Sequence, residues 1–65
     1  MIHHKYKGFK IYKTFRYGYS YYYVDSKEEP FYKTYEERLR YARKLYSRLK
    51  DAKEAIDKFL EQKEA

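Results

Sequence analysis

The stretch from residue 6 to residue 24 reads YKGFKIYKTFRYGYSYYYV, and it holds both glycines of the chain, Gly8 and Gly18. Glycine takes the positive φ that two-residue hairpin turns demand, so Lys7-Gly8 and Tyr17-Gly18 predict two tight reversals. The β-branched and aromatic residues around them favour strands near 2–6, 9–16 and 19–24. A three-stranded antiparallel meander follows.

The turns also set the register. Residues flanking a two-residue loop are cross-strand partners, and period-two alternation carries the assignment outward. One face then collects Ile2, His4, Tyr6, Phe9, Ile11, Phe15, Tyr22 and Val24, with Lys13 as a misfit. The other collects His3, Lys5, Lys10, Tyr12, Thr14, Arg16, Tyr19, Tyr21 and Tyr23. The first face suits a core; the second is almost wholly tyrosine and cation.

Beyond the sheet, residues 25–33 are polar, contain the only proline, Pro30, and predict a loop from which Phe31 and Tyr32 fold back onto the sheet. Thr34-Tyr35-Glu36-Glu37 matches a capping box, and no glycine or proline follows, which predicts one helix over 34–63. Its apolar stripe is Tyr35, Leu39, Ala42, Tyr46, Leu49, Ile56 and Leu60. The expected fold is one α+β domain, a three-stranded antiparallel meander packed on one long C-terminal helix.

That helix raises a problem of length. Residues 35–63 would extend about 43 Å, whereas a six-residue strand spans roughly 20 Å. Heptad-like spacing, with Lys53 as a polar interruption, points to self-association through Ile56, Phe59 and Leu60 as a homodimer contact. A bend near Ser47 that folds the helix back, or a solvated helix end, are the alternatives.

A chain of 65 residues hides only about 60% of its unfolded surface. It contains no cysteine, so neither disulfides nor thiolate zinc can supplement the core. No apolar run has the length of a signal peptide or membrane span, which predicts a cytoplasmic protein without membrane contact. Abundant Lys, Arg and Glu, with no asparagine, is the compositional direction of heat-adapted proteins.

The net charge of +6 is uneven. Residues 1–26 and residues 35–50 each carry +4, residues 27–34 carry zero, and residues 51–65 carry −2. A polyanion should therefore meet the first fifty residues.

Catalytic chemistry finds little support. His3 and His4 point to opposite faces of a strand, with no further ligand to complete a metal site. Glu28-Glu29 and Glu36-Glu37 lie in a loop and a helix start, where solvated acids are ordinary. No serine has a nucleophile setting and no phosphate loop is present. The expectation is a non-catalytic protein with no cofactor and no metal.

The tyrosine and cation face is the constellation above background. Lysine and arginine neutralise phosphates, while tyrosine stacks on bases or donates to phosphate oxygens. Duplex DNA is the first expected partner and RNA the second, bound by Lys5, Lys10, Tyr12, Thr14, Arg16, Tyr19, Tyr21 and Tyr23. An antiparallel sheet entering the major groove would bring Arg16 and Lys10 to guanine edges and Thr14 to a thymine methyl. Arg40, Arg43, Lys44 and Arg48, on the polar side of the helix, would grip flanking phosphates. The same residue types populate protein hot spots, so a small inhibitor from a virus or plasmid clamping an acidic protein is the alternative. A solvated, non-binding face is the bland one.

Gly8-Phe9, Ile11, residues 21–24 and Phe31-x-x-Thr34-x-x-Glu37, spanning residues 6–45, resemble the arm-type DNA-binding domains of phage tyrosine integrases and similar small mobile-element proteins. The resemblance implies DNA bound on the open sheet face by Lys10, Tyr12, Thr14, Arg16 and Tyr21.

Overall fold

The computed structural model describes residues 3–64, apart from the side chains of Glu37 and Glu64. Strands β1 (His3–Tyr6), β2 (Phe9–Arg16) and β3 (Tyr19–Val24) form an antiparallel sheet in that order. Ile2, expected on the core face, lies outside the described residues. Both connections are two-residue turns with positive φ at each central position: Lys7 at 49° and Gly8 at 87°, then Tyr17 at 55° and Gly18 at 80°. This is the type I′ geometry whose twist matches that of the flanking strands.

The turns deliver the expected register. His4 pairs with Ile11, Ile11 with Val24, and Lys13 with Tyr22, while His3 pairs with Tyr12 and Tyr12 with Tyr23. A slip by one residue would exchange the two faces.

Past β3, a 3-10 turn at Glu29–Phe31 buries Phe31 completely, and Tyr32 beside it is nearly as buried. Helix α1 starts at Tyr35, directly after Thr34 as the capping signal predicts, but ends at Leu39. Here the single-helix expectation fails. Tyr41 turns left-handed, with φ at 59°, and residues 42–46 run extended before a bend at 47–48. Helix α2 then covers Leu49–Glu64.

The extended piece lies along the free edge of β3. Tyr22 and Tyr46 exchange both main-chain hydrogen bonds at 2.7 Å, and Tyr32 bridges to Arg43 on the other side. An open edge leaves unpaired N–H and C=O groups, and this segment covers part of it. The break also answers the length mismatch, because α2 returns over the sheet instead of running past it.

The core consists of Ile11, Val24, Phe31, Ala52 and Ile56, with Phe9, Tyr46, Leu49, Phe59 and Leu60 packed around it. Phe9, Phe31 and Phe59 form a triangle with ring centroids 5.5–5.8 Å apart, tying β2, the 3-10 turn and α2 together. Ile56, expected at a self-association contact, is therefore buried in the core of one molecule, and Phe59 and Leu60 pack half-buried against it. Conversely Tyr35 and Leu39, the first members of the expected helical stripe, are 62% and 63% exposed. Phe15, on the core face by register, is 69% exposed because α2 does not reach that far along β2.

A polar latch holds α2 to the first turn. The Tyr6 hydroxyl donates to both Asp57 carboxylate oxygens at 3.1 Å, and Lys7 Nζ lies 2.7 Å from Oδ1. Lys7 and the Tyr6 hydroxyl hold the Asp57 carboxyl below its usual range, and hydrogen bonding to Asp57 raises the Lys7 ammonium.

Two outcomes follow. Phe31→Ala should cost about 3–5 kcal/mol, comparable to the whole stability of a domain this size, so thermal circular dichroism should show no cooperative transition. Leu39→Ala should change stability by less than about 0.5 kcal/mol. The latch sets a pH window as well. A depressed carboxyl contributes stability above about pH 4 that is lost as pH falls through its lowered folded value. The raised Lys7 ammonium contributes below about pH 10 and fades as pH climbs through its folded value. Asp57→Asn should flatten both flanks in denaturant titrations across pH; unchanged flanks would mean the latch is not made in solution.

Candidate nucleic-acid interface

The face opposite the core is built by the same register that makes the core. Across it runs a row of groups in ring contact, one from each strand and one from the segment beside β3. The His3 and Tyr12 rings lie 5.5 Å apart, the Tyr12 and Tyr23 rings 5.5 Å apart with planes only 21° from parallel, and the Arg43 guanidinium sits 5.5 Å from the Tyr23 ring. Arg43 Nη2 also pairs with Asp25 Oδ1 at 3.2 Å. Because each ring faces its neighbour, the row offers a ligand ring edges and hydroxyls. Stacking a base on Tyr12 or Tyr23 would require breaking the row, which turns these two residues from stacking platforms into hydrogen-bonding groups.

The electrostatics are one-sided. The three strands contain no aspartate or glutamate. Lys5 and Lys10 are direct cross-strand partners on this face, a like-charge pairing that weakens a sheet. Among the described residues, no carboxylate lies within 4.0 Å of Lys5, Lys10, Arg16 or Lys33. The acids of α2 lie in the helical layer on the other side of the sheet.

Along the strands the sheet changes width. Among the described residues β1 pairs with β2 as far as Tyr12 and the edge segment meets β3 at Tyr22, so residues 14–21 form a two-stranded ribbon. On its open face stand Thr14, Arg16, Tyr19 and Tyr21, of which Arg16 and Tyr19 are exposed and the other two half-buried. Tyr17 at its tip is 96% exposed.

The basic residues expected along one helix are distributed differently, since the chain from 40 to 48 is not helical. Arg43 joins the tyrosine row. Lys44 points to the core side, its ammonium 5.7 Å from the Tyr46 ring. Arg40 sits in the turn after α1, and Arg48 precedes α2, where its carbonyl accepts from the Ala52 and Asp51 amides. These four residues form no common grip.

The broken helix also creates a groove that the residue pattern did not disclose. It has a volume of about 420 Å³ and lies between the ribbon and the 41–45 segment. Arg16, Tyr17, Tyr23, Lys33, Tyr41 and Arg43 line it, with no carboxylate among the lining residues. Lys33 and Tyr41 are new members of the surface. Only the extended path of residues 42–46 brings them there.

The chain matches no protein-family model, no curated protein and no solved structure. No helix among the described residues is long and apolar enough to cross a membrane.

Proposed function

We propose that the protein binds duplex DNA without catalysis, with the ribbon of residues 14–21 in the major groove and the wider sheet against the flanking backbone. The observation that carries this reading is the cross-strand Lys5–Lys10 pair on a face whose three strands carry no acid and whose neighbouring carboxylate, Asp25, is paired with Arg43. A sheet keeps two lysines opposed, against its own stability, where a polyanion supplies the missing charge.

Width assigns the parts. The major groove, about 12 Å across, admits a two-stranded ribbon. Where residues 42–46 lie along β3 and β1 flanks β2, four backbones side by side span about 14 Å, too wide to enter flat. Arg16 and Thr14 therefore meet base edges, with Tyr19 and Tyr21 beside them, while Lys5, Lys10 and the hydroxyls of Tyr12 and Tyr23 meet phosphate. The A-form major groove of RNA is deep and narrow, so duplex RNA ranks below DNA. The resemblance to integrase arm-type domains implies the same face. A protein partner would use the same side chains, but it gives no reason for a ribbon of this width beside unneutralised lysines.

Fluorescence anisotropy on duplex DNA across salt tests the proposal. Log affinity should fall linearly with log salt, by about 0.9 for each phosphate neutralised. Arg16→Ala should cost about 1–3 kcal/mol of affinity. Lys10→Glu should weaken binding yet stabilise the free protein by about 0.2–1 kcal/mol by removing the like-charge pair. An absence of binding at about 50 mM salt, or an affinity indifferent to salt, would exclude DNA as the partner.

A further inference from the structure

The groove beside the ribbon has its own chemistry. Its lining combines three cations, Arg16, Lys33 and Arg43, with three tyrosines, Tyr17, Tyr23 and Tyr41. A ligand that satisfies such a lining is both aromatic and anionic. A volume of about 420 Å³ falls within the range of roughly 300–1,000 Å³ typical of small-ligand sites. An unpaired nucleotide, a ring joined to a phosphate, has the chemistry of this lining.

The tyrosines differ in what they leave free. Tyr23 is covered by Tyr12 and Arg43 within the row. Tyr17 is almost fully exposed, and Tyr41 is 59% exposed although the Lys27 ammonium lies 5.3 Å from its ring. These two rings, both in the groove lining, retain surface for stacking. Tyr41 also holds a left-handed backbone, φ 59°, which few large side chains adopt. That conformation ends α1 and aims the following segment along β3, so the groove wall and the helix break are one feature.

We infer that this groove takes one unpaired nucleotide of the bound DNA, its base against Tyr17 and Tyr41 and its phosphate beside Lys33 and Arg43, with Arg16 left to the duplex. The preferred substrate is then a duplex with a short single-stranded extension, not a blunt one. The inference rests on the DNA-binding reading, and the experiment separates the two.

Anisotropy at fixed salt would compare a blunt duplex, the same duplex with a short extension, and one with an abasic extension of equal phosphate count. The base-bearing extension should bind at least about fivefold tighter than the abasic one, the affinity equivalent of stacking a single base. Tyr41→Leu should erase that difference while leaving blunt-duplex affinity unchanged, and Tyr41→Phe should retain it. Equal affinity of wild-type protein for all three DNAs would overturn the inference and leave DNA binding standing. Failure to bind any of them would remove both readings together.

Discussion

Two main-chain hydrogen bonds, from Tyr22 to Tyr46 and back at 2.7 Å each, hold the arrangement on which both faces of this molecule depend. They fix residues 42–46 to the edge of β3. From that position the chain can return α2 over the sheet, so that Leu49, Ala52, Ile56 and Phe59 close the core. The same segment presents alternate residues to opposite sides: Tyr46 packs inward, and Arg43 lies over Tyr23 on the open face. A continuous helix would have left β3 open along its whole edge and carried Ile56 and Phe59 beyond the reach of the strands. Local helix propensity over residues 40–48 amounts to a few tenths of a kcal/mol per residue. Burying several large apolar side chains contributes about 1.5–3 kcal/mol each, so burial outweighs propensity and decides the conformation.

The pleat then divides the work. Its inner side is apolar, and the three phenylalanines lock sheet, turn and helix into one unit. Its outer side carries lysine and arginine with no acid in any strand, and Tyr12 and Tyr23 stack on each other there. This division explains how a short chain uses so many tyrosines. In the row they supply packing area while keeping hydroxyls at the surface, which leucine or valine could not do. At the ribbon tip, where α2 does not reach, Phe15, Tyr17 and Tyr19 stay exposed. There the ring surface is free to meet something else.

How much of this is legible from residues alone varies along the chain. Gly8 and Gly18 mark both turns, and with two-residue loops the whole register follows, including the membership of each face from His3 to Val24. Phe31 and Tyr32 likewise return to the core as their apolar character after a polar loop predicts. The helix break is not legible as a local signal, because residues 39–48 contain no glycine or proline and Tyr41 is an unusual choice for a left-handed position. The trace it leaves is a mismatch of scale, a helix of about 43 Å against a sheet of roughly 20 Å, which the bend at residues 47–48 and the extended piece before it resolve. Assigning Arg40, Arg43, Lys44 and Arg48 to one helical face fails for the same reason, and Ile56, expected at a contact with a second molecule, is buried in the core instead. Lys33 and Tyr41 stay hidden because only the folded connection brings them beside the ribbon.

Backbone chemical shifts of residues 35–64 probe the break most directly. Carbon shifts should be helical over 35–39, extended over 42–46 and helical again from Leu49, with slow amide exchange at Tyr22 and Tyr46. Helical shifts running without interruption from Tyr35 to Lys63 would contradict the edge pairing, and with it the groove, the placement of Arg43 and the return of the helix to the core.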